Sequence, residues 1–388
     1  MKSLYLYTML LSFLLFNDIV AIAHDEAEND VAFNLPALDR AVSTDATSPD
    51  LIIPNMSNEN FIKDCMPDNY RIFSNSPPGD YSKVLMERAF NMDIQDSVET
   101  LNNFHKKAIH TINSPIVNSK ADMIPQITHK LWLTNPGKPH PVPNQALKGL
   151  KQTYLNLPGY KHIFWTNFPD GLKDTFKELE DAGIEFEVHH TDELLLLPCS
   201  RLFTVFMKHK LYAFAGNIIR IQALYKYGGI YSDLGWLLSK NMPQIVQKFD
   251  FVAHNVIWSG NRGQIDHNLM ASKPSDNVLG AILKKVDDDA FFNTYLYTSL
   301  YANNIWEVQE LVTPVMLNAA FSALANSDTK LLLLNAGEHT FLEEHLNSWH
   351  PGNFAYNGQS FEKCNMVKFV NDYKALTSSS TNASVQNK

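Results

Sequence analysis

The sequence predicts an α/β protein whose central, mostly parallel sheet is flanked by helices. Between residues 124 and 235, short apolar runs typical of buried strands alternate with longer segments of helical periodicity. Turns containing glycine, proline or asparagine separate these segments. Alternating strands and helices favour a parallel sheet, because a crossover helix returns the chain to the same edge. Ligands of such sheets bind beyond the carboxyl ends of the strands.

The elements follow from this pattern in chain order. Apolar runs predict strands at 127–133, 161–165 and 184–189, and a further one from Ile230. Helical periodicity predicts helices at 145–155, 172–182 and 210–227. The last helix is the longest, and Gly228-Gly229 ends it.

Composition and charge limit the possible classes of function. The 388 residues carry a formal net charge of -9, whereas a general nucleic-acid binder needs a basic surface. We therefore expect no nucleic-acid partner. A small anionic ligand remains possible, since a local arginine or lysine can outweigh the global balance. No P-loop, dinucleotide fingerprint, zincin or serine-hydrolase motif occurs in the sequence.

The N-terminus resembles a secretory signal peptide. Lys2 precedes an apolar run from Leu4 to Phe16, and Ala21-Ile22-Ala23 offers a small-residue cleavage pattern. We expect a secreted or exported protein with no stable membrane span after cleavage. The alternative is a retained type II membrane anchor in the lumen of the secretory pathway.

The cysteines at 65, 199 and 364 are too few for a disulfide framework, so one disulfide or buried thiols are the options.

Shifts in composition divide the chain into segments. The predicted segments are a signal peptide (1–23), a disordered leader (24–60), an N-terminal helical extension (61–120), the main domain (121–355) and a C-terminal segment with a frayed tail (356–388).

The segment from Asn217 to Asp233 carries the chemistry. Asn217 and Arg220 lie three residues apart and therefore share one helix face. The double glycine permits a sharp reversal into a strand, and Asp233 falls just past its end. A guanidinium that faces a phosphate and a carboxylate that faces a ribose or a metal would suit a nucleotide diphosphate.

These residues resemble a known family. Residues 216–235 read GNIIRIQALYKYGGIYSDLG, close to the pattern S-D-x-x-R-Y-x-x-L-Y-x-Y-G-G-I-Y-x-D-x-D of glycosyltransferase family 32. That family includes fungal initiating mannosyltransferases and is related to clostridial glucosylating toxins. Further matching pieces occur in the family's order: IPQITHKLW at 124–132, HIFWT at 162–166, NLMAS at 268–272, Thr313-Pro314 and Ser348-Trp349.

The resemblance implies a GT-A-like nucleotide-sugar-binding fold and a set of site residues. It makes Arg220 and Asp233 the catalytic pair, with Asp233 also in the metal shell. Donor-binding residues would be Trp132, Thr134, Asn217, Tyr231, Asn268, Ser348 and Trp349. The implied reaction is hexose transfer from a nucleotide-diphosphate sugar to a glycan or protein acceptor, with retention of configuration.

Two acidic residues of the family pattern are missing here. Asn217 stands where the family has Asp, and Gly235 stands where the second Asp of D-x-D, a direct metal ligand, should be. The resemblance implies Mn²⁺ or Mg²⁺ as cofactor, with His345 completing the coordination. Because Gly235 has no side chain, a site of reduced charge and a metal-independent site are both open.

Each residue also has a structural explanation. Asp233 could cap a turn, Arg220 could form a structural ion pair, and Trp132 could be a core aromatic like Trp165. His345 could be a surface histidine. The alternatives to an active glycosyltransferase are a catalytically inactive sugar- or protein-binding module and a secreted effector that glycosylates a host protein.

Overall fold

The structure, a computed structural model, describes residues 123–258, 262–288, 329–334 and 341–343, with single helical positions within 103–111, 317–324 and 368–376. The predicted signal peptide and leader lie outside these residues. So do most of the helical extension and of the C-terminal segment, although positions 103, 104, 107, 108 and 111 are helical. No helix among the described residues is long and apolar enough to cross a membrane.

The described elements alternate as the sequence pattern predicts. The strands are β1 (Ile127–Leu131), β2 (Lys161–Thr166), β3 (Glu187–His190), β4 (Gly229–Ser232), β5 (Trp236–Leu238), β6 (Phe251–Trp258), β7 (Arg262–Ser272), β8 (Leu331–Leu334) and β9 (Phe341–Glu343). The α-helices are α1 (Asn144–Asn156), α2 (Lys173–Asp181), α3 (Ser200–Lys208), α4 (Tyr212–Tyr227), α5 (Met242–Val246) and α6 (Asn277–Asp288).

Seven of these strands form the central sheet, in the order β3-β2-β1-β4-β7-β6-β8. Strand β7 runs antiparallel to its neighbours β4 and β6, and every other neighbouring pair is parallel. β5 and β9 pair with each other as a separate two-stranded sheet. The predicted α/β class, with a mostly parallel central sheet flanked by helices, is therefore confirmed.

Apolar layers cover both faces of the sheet. In β2, Ile163 and Trp165 point into the core on the α4 side, and Phe164 points into the core on the α1 side. Helix α4 is buried from Phe214 to Leu224 and packs against α3, α6, β1 and β7. A helix that is apolar on every side can be stable only when other elements surround it. This packing fixes the end of α4 against the strand that follows it.

Several predicted boundaries were wrong. β1 ends at Leu131 rather than at residue 133, and the predicted helix 172–182 divides into a 3-10 turn, Pro169–Leu172, and α2. β3 begins at Glu187 rather than at residue 184. Ile184 and Phe186 are apolar because they pack against the α1 side of the core, without pairing in the sheet.

Candidate active site

The double glycine places β4. Gly228 and Gly229 have φ of 63° and 99°, which side chains with a Cβ rarely adopt. A Cβ on Gly229 would lie 2.5 Å from the carbonyl oxygen of Ile127 on the neighbouring strand. The reversal from α4 into β4 therefore requires glycine twice, as the sequence predicts.

A buried histidine ties β1 to this turn. Trp165 donates its indole N–H to His129 Nδ1 at 3.1 Å, so the imidazole hydrogen is on Nε2, which donates to the Gly228 carbonyl at 2.7 Å. Burial lowers the pKa of His129 to about 4, and the nearby His189 and Lys161 act in the same direction. The ring is thus neutral at neutral pH.

Arg220, Tyr231 and Asp233 converge where β4 ends. Arg220 Nη2 lies 3.3 Å from Asp233 Oδ1, and the Tyr231 hydroxyl donates to the same oxygen at 2.7 Å. The guanidinium also lies over the tyrosine ring, 5.0 Å from its centroid. The Arg220 side chain is 8% exposed and the Asp233 side chain 40%. The carboxylate therefore faces solvent from a base of buried groups.

Strand β7 fixes both members of the pair. Arg220 Nη1 donates to the His267 carbonyl at 3.0 Å, and Nε donates to Gly216 O at 3.3 Å within α4. The backbone amide of Asp233 donates to the Asn268 carbonyl at 2.8 Å. The pair is thus held in place before any ligand binds, which is the arrangement that an electrostatic binding site needs.

The sequence analysis did not identify Lys130, whose side chain lies under the turn that follows β4. Lys130 is fully buried, and Nζ donates to the carbonyls of Asp233 at 2.9 Å and Trp236 at 3.2 Å. The same Asp233 carbonyl accepts from the Trp236 amide at 3.0 Å, which closes a four-residue turn containing Gly235. Burial lowers the pKa of Lys130 to about 7, while the charge of Asp233 raises it.

A second overlooked residue is Asp266 in β7. Its carboxyl accepts from the amides of His267 at 2.6 Å and Asn268 at 3.3 Å, and from Asn268 Nδ2 at 3.0 Å. Burial raises the pKa of Asp266 to about 7, with the charge of Asp233 acting in the same direction and that of Arg220 opposing it. The predicted residue Asn268 is also held from the other side, since His254 Nδ1 lies 3.1 Å from its Oδ1. The available signal was the run of three polar residues, Asp266-His267-Asn268, between the apolar residues Ile265 and Leu269.

The other predicted site residues are placed as follows. Trp132 is 6% exposed, and its indole N–H donates to the His140 carbonyl at 2.8 Å. Thr134 is fully buried, and its hydroxyl accepts from the His140 amide at 2.7 Å. Asn217 is buried one helical turn before Arg220. The donor-binding roles of these three residues stay predictions.

Three predicted residues, His345, Ser348 and Trp349, lie outside the described part of the chain. Strand β9 leads toward them. Its last residue, Glu343, pairs with Trp236 at the end of the turn that carries Asp233. The roles of His345, Ser348 and Trp349 stay predictions.

The described residues do not fit the divalent cation that the resemblance implies. Asp233 is the one motif carboxylate, and Arg220 and Tyr231 already contact its Oδ1. Gly235 has no side-chain ligand, and the Lys130 ammonium lies behind the turn. Among the residues that the structure describes, no group of three or more His, Cys, Asp or Glu could hold a metal ion.

A comparison with known protein families finds a match over the part of the chain that carries the candidate site. Residues 143–252 match the family model described as a glycosyltransferase sugar-binding region containing a DXD motif. The match covers a little over a quarter of the chain and includes Asn217, Arg220, Tyr231 and Asp233. This region of the chain is therefore similar to the suspected family. The matched region thus contains the helix, turn and strand that carry the candidate site.

Solved structures give more distant likenesses. The PaToxG glycosyltransferase is 13% identical, with 58% of this chain and 77% of that chain covered and a TM-score of 0.36. The UDP-bound glycosyltransferase domain from the YGT toxin is 13% identical, with 49% and 66% covered and a TM-score of 0.32. Likenesses this distant define neither the fold nor the activity of the present chain. No curated protein matches it.

Proposed function

We propose that this protein is a glycosyltransferase that transfers a hexose from a nucleotide-diphosphate sugar to a glycan or protein acceptor, with retention of configuration. The contact between Arg220 and Asp233 carries the proposal. It places a guanidinium and a partly exposed carboxylate side by side at the end of β4, within the matched sugar-binding region. Ligands of open α/β sheets bind at this edge.

The reaction requires mainly that donor and acceptor are positioned and that the charge of the departing diphosphate is stabilised. The bond from the anomeric carbon to the diphosphate oxygen breaks, the acceptor oxygen bonds to that carbon, and the acceptor proton passes to the departing diphosphate. Arg220 stabilises the negative charge that develops on the diphosphate. Asp233 accepts hydrogen bonds from the donor's hydroxyl groups, and Tyr231 holds the carboxylate in place.

The remaining predicted contacts belong to the same proposal. Trp132 and Thr134 hold the nucleotide base, Asn217 and Asn268 border the sugar, and Ser348 with Trp349 covers the diphosphate. The donor is a uridine or guanosine diphosphate sugar. The protein acts after export, with residues 1–23 removed.

A thermal-shift panel of nucleotide sugars tests this proposal. UDP- and GDP-sugars are each added with Mn²⁺, with Mg²⁺ and with EDTA, and a bound donor raises the melting temperature by mass action. Release of the nucleoside diphosphate is assayed in parallel. Asp233→Ala should abolish the donor-induced shift and leave the unliganded melting temperature nearly unchanged, because the side chain is 40% exposed.

Asp181→Ala serves as the control for that variant. Asp181 is an exposed carboxylate of α2 paired with Lys177, so it also tests the loss of one ion pair. It should keep the full shift. A chain that no UDP- or GDP-sugar stabilises under any of the three conditions contradicts the proposal.

A second candidate is a catalytically inactive relative that binds a sugar or a protein. The observation in its favour is the loss of two family carboxylates, at Asn217 and Gly235. Such a protein would be stabilised by a nucleotide sugar or a glycan without releasing any nucleoside diphosphate. Release of the nucleoside diphosphate by the wild type, abolished in Asp233→Ala, would exclude it.

A further inference from the structure

Gly235 lies in a turn whose carbonyls accept hydrogen bonds from the buried ammonium of Lys130. This glycine stands where the family has a carboxylate. In the family pattern, position 235 carries an aspartate that ligates a cation. Here the turn from Asp233 to Trp236 contains no second carboxylate. Its carbonyls at both ends instead accept hydrogen bonds from one lysine on the adjacent strand, at 2.9 and 3.2 Å.

Burying an ammonium is costly, so its position needs an explanation. Lysine is almost never fully buried unless its charge is paired, and Lys130 is 0% exposed. A methionine would fill similar space without removing a charge from water. The charge of Lys130 lies near that of Asp233, and its Nζ hydrogen bonds go to the backbone of the same turn.

Other side chains hold the turn from further directions. Helix α1 contributes Thr153, whose hydroxyl donates to the Trp236 carbonyl at 3.3 Å and accepts from the Leu238 amide at 3.2 Å. Strand β7 contributes the Asn268 carbonyl, which accepts from the Asp233 amide at 2.8 Å. Groups from β1, α1 and β7 thus hold the turn in place.

The balance of charge at the site also differs from that of the family pattern. Relative to the family pattern, two carboxylates are absent, at 217 and 235. Lys130 and Arg220 provide two cationic groups around the carboxylate of Asp233. The buried carboxyl of Asp266 is occupied with the amides of His267 and Asn268. Of the two cationic groups, Arg220 is the one that can face an anionic diphosphate, since Lys130 is buried behind the turn.

We propose that Lys130 takes over the positioning role of the divalent cation, so that the nucleotide-diphosphate sugar binds without a metal. The inference rests on the proposed function, because it concerns the same donor. Lys130 is a positioning residue that acts through the turn carrying Asp233. It does not contact the donor.

Isothermal titration of the full chain with UDP-glucose and GDP-mannose, in EDTA and in Mn²⁺, tests this inference. For whichever donor binds, the wild-type dissociation constants in the two conditions should agree within about twofold. Lys130→Met should weaken binding by about tenfold or more in both, since two charge-assisted hydrogen bonds to the turn are lost. Lys226→Met removes an exposed lysine that donates to the Glu193 carbonyl, and it should bind as the wild type does.

A reverse variant separates this role from a merely structural one. Gly235 is not among the glycines with positive φ, so its backbone accepts an aspartate. In the double variant Lys130→Met, Gly235→Asp, donor binding should become dependent on Mn²⁺, whereas Gly235→Asp alone, which keeps Lys130, should still bind the donor in EDTA.

Three outcomes would overturn the inference. Donor binding by the wild type that disappears in EDTA overturns the inference alone and leaves the proposed function standing. This measurement needs no variant, so it applies even if Lys130→Met does not fold. Unchanged affinity in folded Lys130→Met also overturns it. Absence of binding in both EDTA and Mn²⁺ overturns the proposed function and the inference together.

Discussion

The hydroxyl of Tyr231 donates a 2.7 Å hydrogen bond to the carboxylate of Asp233. The two residues are two positions apart at the end of β4, so their side chains leave the same face of the sheet. That face packs against α4, whose Arg220 reaches both of them. The geometry of the candidate site therefore follows from strand alternation and from the sharp turn between α4 and β4.

Tyr231→Phe tests how much this hydrogen bond contributes. The variant keeps the ring under the guanidinium and removes one bond to a charged acceptor, worth about 1.5–3 kcal/mol. We expect donor affinity to fall by about tenfold, measured by calorimetric titration, with the fold unchanged. Tyr225→Phe, in the last turn of α4, is the matched control and should bind as the wild type does. Equal affinities for both variants would contradict the role of Tyr231.

Gly229→Ala tests the double glycine. The substitution combines a φ of 99° with a Cβ placed 2.5 Å from the Ile127 carbonyl oxygen. We expect the free energy of unfolding to fall by about 3 kcal/mol or more, measured by chemical denaturation. Gly183→Ala is the control, because Gly183 has φ of 71° but nothing within 4 Å of the added Cβ. It should cost only about 1 kcal/mol. Equal losses would show that the contact with Ile127 is unimportant.

The pH dependence of stability should reflect five buried groups, because burial also lowers the pKa of His267 and raises that of Asp276. Burial lowers the pKa of His129 and of His162 to about 4, so each stabilises the fold above pH 6.5 and loses that contribution as the pH falls toward 4. Asp266 acts in the opposite direction. Its pKa is raised to about 7, so its contribution decreases as the pH rises from about 4 to 7.

These groups predict the slope of unfolding free energy against pH between about 4.5 and 6. Three histidines with lowered pKa values and two carboxyls with raised pKa values leave a net loss of stability on acidification. His129→Gln should flatten this slope, and Asp266→Asn should steepen it. Denaturant titrations at several pH values measure both changes. A slope that is unaffected by Asp266→Asn would contradict the burial of this carboxyl. Burial lowers the pKa of Lys130 to about 7, so this residue affects the free energy of unfolding in a different pH range, above neutral pH.

The sequence predicted the parts of the fold that depend on local signals. Gly228 and Gly229 mark the end of α4, and the spacing from Arg220 to Asp233 is set by one helix end, one turn and one strand. All of these are near neighbours in sequence, so periodicity and turn residues identify them.

The overlooked residues depend on distant pairings. Lys130 contacts Asp233 only because β1 and β4 are neighbours in the sheet, and the pairing of strands 100 residues apart is not a local signal. Lys130 within an apolar strand gave no sign of its partners. Asp266 was missed because β7 reaches the site from a strand of opposite direction, which the regular alternation of strands and helices did not predict.

The most direct test of the account is a double-mutant cycle for donor binding on Arg220→Lys, Asp233→Asn and the double variant, measured by calorimetric titration. Lysine keeps the charge but loses the planar fork of donors, and asparagine keeps the shape but loses the charge. We predict that each single variant weakens binding by about tenfold or more and that the double variant is little weaker than the worse single variant, because the two side chains act as one unit. Either single variant binding the donor as tightly as the wild type would contradict the account.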